Sequence, residues 1–241
     1  MKGRSNGVKI GTFGIDKLSA GKENIVDQRL DSIKQMVHSA KKAYIQAELI
    51  TDLERLKECE GIILLKEKQL DLILTDLEFV EKRITHIQEE KERDLLNRFK
   101  AQLEKEHFIF ELQLTEEEER VVSGYSLLSL RPVFLVEPQD LEDVPKVLQL
   151  AYNYFAYISF FTANDKEAHA WALKKGMTCW QASGLIHSDI QKGFIRAEVI
   201  GFNDLINDGG INQARANNHL RLENKDYIVQ DGDLIKLRFS K

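Results

Sequence analysis

The apolar positions of this chain change their period several times, and each change predicts a different element. Residues 8–14, Val-Lys-Ile-Gly-Thr-Phe-Gly, read as a short strand, and a basic, glycine-containing loop follows through Gly21. Ile25, Val26, Leu30, Ile33 and Val37 recur at helical spacing, which predicts a helix over 27–38; residues 43–50 read as a second strand. Strand, helix and strand make the beginning of a small α/β layer, too few elements to form a stable sheet alone.

From Ile62 to Ser123 the chain has neither glycine nor proline, a helical signal. Ile73, Leu77, Val80, Ile84 and Ile87 are spaced four and three apart in alternation, the seam that coiled coils bury. The seam fails over 88–94, Gln-Glu-Glu-Lys-Glu-Arg-Asp, and a new stripe begins at Leu95 or Leu96, Phe99 and Leu103. This predicts an antiparallel hairpin with its tip in the charged segment, with one long, phase-shifted helix as the competing reading. Thr115 and Glu118 then form a Thr-x-x-Glu capping box that opens another short helix ending before Gly124.

Pro132, Pro138 and Pro145 are the chain's three prolines. Pro132 precedes a short buried strand, Val-Phe-Leu-Val, and residues 144–154 read as a helix. Beyond it the period becomes two: Ile195, Ala197 and Val199 alternate with Arg196 and Glu198, and Ile235, Leu237 and Phe239 alternate with Lys236 and Arg238. These are half-buried strands with a charged face. Asp231-Gly232 reads as a hairpin turn, and residues 178–190 as one helix over the sheet.

Composition refines this picture. A hydrophobic fraction of 43% in 241 residues suits a folded chain of one large or two to three small domains. The formal charge of −5 argues against a surface that grips nucleic acid everywhere, but the acidity belongs to the middle: residues 67–154 hold 20 acids and 11 bases, residues 155–241 hold 10 and 11. Cys59 and Cys179 are far apart and read as buried free thiols, with no zinc or disulfide pattern. No apolar run approaches the ~20 residues of a membrane span. With no signal peptide behind the amino terminus, the expected location is the cytoplasm.

Four blocks carry a resemblance: "ISFFTA" (158–163), "WALKKG" (171–176), "GLIHSDIQKGFIRAEVI" (184–200) and "KDYIVQDGDLIKLRF" (225–239). Their order is similar to that of the carboxy-terminal TGS domain of the YchF or Obg-like ATPases. "VDQRLDSI", "LILTDLEFVEKRI" and "LSLRPVFLV" extend the likeness upstream. The resemblance implies an α+β protein: a ubiquitin-like β-grasp (TGS) domain at 155–241, a helical, coiled-coil-like hairpin at 61–130, and a reduced α/β platform from 1–60 plus 131–154. It also implies a nucleotide-binding half, and here the chain departs from the family. The family's P-loop cradles phosphates on backbone amides with a lysine and a hydroxyl. The nearest segment, Gly14-Ile-Asp-Lys-Leu-Ser-Ala-Gly21-Lys22-Glu23, has the wrong spacing and a carboxylate at the hydroxyl position. Glu137-Pro138-Gln139-Asp140 replaces the base-reading Asn-x-x-Glu, and no Asp-x-x-Gly follows Ile50. No catalytic, cofactor or metal residue is carried over, Lys22 being the weak candidate.

The preferred expectation is therefore a degenerate GTPase without catalysis: an adaptor for RNA, a ribosome or a translation-associated protein. Its basic face would come from Lys174, Lys175, Lys192, Arg196, Lys236 and Arg238, diluted by Glu198, Asp231 and Asp233. The rivals are a nucleotide-dependent switch or ATPase with an atypical phosphate loop around Lys22, and a homodimeric scaffold using Phe108 and Phe110 near the hairpin base. His187 with Asp189 can be drawn as an acid-base pair, but a loop-ordering histidine at a helix end is the stronger reading. Trp180 and Phe194 read as core aromatics before base-stacking ones.

Overall fold

The structure is a computed structural model that describes residues 7–240. In chain order it contains β1 (Gly7–Phe13), β2 (Gly21–Ile25), α1 (Gln28–Val37), β3 (Lys41–Ala43), β4 (Ile45–Ile50) and β5 (Gly61–Leu65). Then come α2 (Gln69–His86), α3 (Glu90–Leu103), α4 (Glu116–Val122), β6 (Val133–Val136) and α5 (Val144–Tyr154). The carboxy-terminal part holds β7 (Tyr157–Ala163), β8 (Glu167–Lys174), α6 (Cys179–Ile186), α7 (Ser188–Lys192), β9 (Phe194–Ile200), α8 (Phe202–Asp208), α9 (Ile211–Ala216), β10 (Arg221–Glu223) and β11 (Leu234–Phe239). The strands form two sheets, ordered β2-β4-β1-β5-β6 and β10-β9-β11-β7-β8-β3. Among the described residues no helix is long and apolar enough to cross a membrane. By compactness the described residues divide into 9–22 with 48–147, and 7–8 and 23–47 with 148–240.

In the first of these units β1, β5 and β6 run parallel, in the register Ile10↔Gly61 and Ile62↔Val133. The helical signal over 62–123 overreaches at its start, where residues 61–65 are strand. Gly-Ile-Ile-Leu-Leu is an unbroken apolar run, and flanked by β1 and β6 it is buried as an inner parallel strand. Parallel neighbours need a crossover, and the β5-to-β6 crossover is the helical segment.

α2 and α3 are antiparallel, with Lys100 Nζ 2.7 Å from Glu81 and Arg83 3.1 Å from Glu92. Two helices form rather than one. The seam residues Ile73 and Val80 are buried with Leu95, Leu96, Phe99 and Leu103, while Leu77, Ile84 and Ile87 pack at the margin. The Thr115 box is present: its hydroxyl accepts from Glu118 N at 3.2 Å and Glu118 returns to Thr115 N at 2.8 Å. Asp76 is 1% exposed. Its carboxylate accepts from Leu128 N (2.8 Å), Ser129 N (2.7 Å) and Ser129 Oγ (2.6 Å), fastening α2 to the segment before β6.

In the second unit α6 covers one face of the six-stranded sheet. Ile158, Phe160, Leu173, Cys179, Ala182, Ala197, Val199 and Ile235 make the core there. α1 packs on β7 and β8. Arg29 forks to Asp27 and Asp231, each at 2.7 Å, and lies over the Phe161 ring. Two expectations fail. Residues 178–190 are two helices, broken at His187, whose backbone is extended (φ −164°). Asp231-Gly232 is no hairpin: β11 enters between β7, to which it is parallel, and β9, to which it is antiparallel. Gly232 (φ 91°) makes a turn that anchors on β7 through Gly232 N to Ser159 O at 2.8 Å. The positive φ is real, but the tertiary pairing sends the strand elsewhere.

Candidate functional site

β9 and β11 pair with Lys236 opposite Glu198 and Arg238 opposite Arg196. Directly opposed residues share a sheet face, so these four side chains stand together while Ala197, Val199 and Ile235 turn into the core. Along that face Ile200 and Leu234 are opposed and buried; Glu198 follows at 7% exposure; Arg196 and Arg238 lie open at the far end. Arg238 reaches diagonally to Glu198, donating from Nε at 2.9 Å and also from Nη2 to the same oxygen, Oε1. Arg215, on α9, donates to the other oxygen, Oε2, at 3.3 Å. The Glu198 carboxyl is held below its ordinary range, first by the Arg238 hydrogen bonds, against the opposing effect of burial, and then by the charges of Arg238, Lys236 and Arg215.

The other two acids expected to dilute this charge are engaged elsewhere. Asp231 takes the Arg29 fork and Ser159 N (2.9 Å). Asp233 is buried, accepting from Tyr227 OH and Gln230 N, both at 2.9 Å. Three cations, Arg215, Lys236 and Arg238, therefore act on one carboxylate, and Arg196 stands further along the same face opposite Arg238. Arg215 has no signature in the sequence: it sits on a six-residue helix without apolar periodicity, and only the folded face brings it to Glu198.

The remaining candidates do not join this group. Lys174 ends β8, its Nζ 4.2 Å from the Tyr157 ring centroid and 3.1 Å from Phe155 O. Lys175 follows and lines a separate open pocket of about 570 Å³ with Asn153, Tyr157 and Gln230. Lys192 borders a groove of about 640 Å³ with His187, Ile190 and Phe239. His187 Nδ1 accepts from Asp189 N at 3.1 Å, which makes it the N-cap of α7, a loop-ordering role. Trp180 is exposed, its indole N–H fixed on Gln191 O at 3.1 Å, and Phe194 packs at the core margin.

Phe108 is 4% exposed and stacks with the half-buried Phe110 at 6.0 Å, inside the hairpin's own core. As a surface patch this pair is corrected: the turn after α3 folds it inward. Burial raises the thiols of Cys59, to about 11, and Cys179, to about 12, so both stay protonated near neutrality.

The loop after β1 turns at Gly14 (φ 71°), closes with Leu18 N on Ile15 O at 3.4 Å, and enters β2 at Gly21. A strand, not a helix, follows, and Lys22 is exposed on it. A phosphate cradle of the P-loop type needs the amino end of a helix at this point.

A family model, YchF-GTPase_C, described as a protein of unknown function (DUF933), matches residues 157–240. "Ribosome-binding ATPase YchF" of Bacillus subtilis (strain 168) is 30% identical over 236 residues, covering 71% of this chain and 64% of its own length. The protein of the same name from Mycoplasma genitalium is 30% identical, covering 94% of this chain and 65% of its own length. The chain belongs to the YchF family. It spans a little under two thirds of the length of these relatives. The fold is also that of the solved Schizosaccharomyces pombe YchF GTPase: TM-score 0.75 at 16% identity, covering 96% of this chain and 97% of that one. The β9–β11 cluster falls within the family-matched segment.

Proposed function

We propose that this YchF-family chain is an adaptor that binds ribosomal RNA through the β9–β11 face and does so without nucleotide. Its relatives are named ribosome-binding ATPases, which supports the ribosome as the assembly. The observation that carries the reading is the convergence of Arg215, Lys236 and Arg238 on the single carboxylate of Glu198, with Arg196 on the same face opposite Arg238. Phosphate contacts need such a net-basic face. We read residues 155–241 as a TGS β-grasp: β7 and β11 lie parallel at the sheet centre, α6 crosses one face, and the order β8-β7-β11-β9-β10 is that of ubiquitin-like folds. The bounds expected for the hairpin, 61–130, and the platform, 1–60 plus 131–154, shift: residues 61–65 are strand β5 of the platform sheet, and residues 23–47 and 148–154 belong to the same compact unit as the β-grasp.

The second reading, an ATPase, is favoured by the relatives' name. The loop that leads into strand β2, with Lys22 exposed on it, weighs against it. Charge reversal at Lys236 and Arg238 together separates the two. Loss of ribosome co-sedimentation in that variant, with binding unaffected by Mg-ATP or by Lys22→Ala, supports the adaptor. Mg-ATP binding that Lys22→Ala abolishes supports the ATPase.

A further inference from the structure

Glu198 is an odd resident of a phosphate-binding face. By charge counting it weakens the site; by geometry it does the opposite. Each of its oxygens holds a different arginine, Arg238 from the strand on Oε1 and Arg215 from α9 on Oε2. A guanidinium has five N–H donors in a rigid fork. Arg238 directs only Nε and Nη2 to Glu198, and Arg215 only Nη2. The two side chains are 56% and 61% exposed, and among the described residues Glu198 is the acceptor that each fork engages, which leaves further N–H donors on both. A nearly buried carboxylate is rigid, and two arginines tied to it lose little further rotamer freedom when they take a ligand.

We propose that Arg215 and Arg238 form a two-arginine clamp for a phosphodiester group of an RNA strand, with Glu198 as the positioning residue that sets the two forks in register. Lys236 and Arg196, on the same face, take the phosphates to either side. Leu222, opposite Glu198 on β10 and exposed, offers an apolar ledge beside them. The clamp rests on the RNA-adaptor reading above, and it adds a residue, Arg215, and a role for Glu198 that charge alone would not assign.

The sign of one substitution separates positioning from charge. In fluorescence anisotropy with a labelled poly(U) oligonucleotide and the full chain, Glu198→Gln removes a negative charge yet should weaken binding by about threefold to tenfold. Asp226→Asn makes the same charge change at an exposed residue of the 221–230 segment and should leave affinity equal or slightly higher. Arg215→Gln should weaken binding about tenfold and lower the salt slope by about 0.7, the loss of one phosphate contact on a single strand. Arg215→Lys should recover the slope but only part of the affinity, because an ammonium cannot replace the fork. Inorganic phosphate as competitor should displace little RNA; full displacement at matched ionic strength would mean a small-anion site and overturn the clamp.

If Glu198→Gln binds as tightly as the wild type or tighter, Glu198 only dilutes charge and the positioning role is wrong. If Arg215→Gln is silent while Arg196→Gln and Lys236→Gln weaken binding, the RNA face stands and the clamp falls. Wild-type protein that pellets with ribosomes yet ignores poly(U) points to a protein contact and overturns the clamp. Failure of both assays overturns the clamp and the function together.

Discussion

The helical hairpin and the β9–β11 sheet face each bury one carboxylate, and the two are satisfied in opposite ways. Asp76 is met by two backbone N–H groups and a serine hydroxyl, all fixed by the chain around it. Burial pushes its carboxyl up, and the Ser129 and Leu128 donors pull it back. Glu198 is met by side chains of half-exposed arginines, which pull its carboxyl down. The first arrangement uses up its donors and makes a fastening. The second leaves donors over, and makes a surface that can take another anion. Elsewhere on the hairpin, charges are matched singly across helices, as in Lys100 with Glu81 and Arg98 with Glu118, in a region whose acids outnumber its bases. Such pairs contribute only about 0–1 kcal/mol each and leave no basic surplus.

The sharpest way to break the contrast is to cut both carboxylates. Asp76→Ala leaves three buried donors without an acceptor and should destabilise the protein by roughly 3 kcal/mol or more in urea unfolding, without a specific effect on RNA. Phe108→Ala should cost about 3 kcal/mol for the same structural reason, an emptied core site, and leave oligomeric state unchanged in analytical ultracentrifugation. On the sheet the order of effects reverses. Arg238→Gln breaks half-exposed bonds and should cost under about 1 kcal/mol of stability, while RNA affinity falls about tenfold. The smallest effect is a titration. His219 is raised above its ordinary 6.5 by its hydrogen bond to Asp208. Its contribution is therefore complete below pH 6.5 and is lost as pH rises through the higher folded value. Thermal melts across pH 6 to 9 should show a small loss that His219→Gln removes, with RNA affinity following no such step.

Much of the architecture was legible because it rests on local pattern. The Ile73-to-Ile87 seam and its failure at 88–94 specify two helices, and the Thr115 box specifies where α4 begins. Non-local pairing was not legible. The run Gly61-Ile-Ile-Leu-Leu is apolar at every side chain, so periodicity cannot tell strand from helix, and β1 and β6 decide it. Lys41–Ala43 is too short to signal a strand, yet it pairs with β8. Asp231-Gly232 has turn chemistry but no hairpin, because β9 and β7 claim β11. At the site, alternation placed Arg196, Lys236 and Arg238 on one face correctly. Arg215 was invisible, and Glu198 looked like a diluting charge, since which acid faces which base is set by register and by the placement of α9.

The most direct test of the RNA-adaptor function is sedimentation of the purified chain with ribosomes at low and moderate salt, with and without Mg-ATP, beside the Lys236 and Arg238 charge-reversal variant. Salt-sensitive pelleting that ignores ATP and disappears in the variant is expected. Pelleting that survives charge reversal, or that appears only with Mg-ATP, would contradict it.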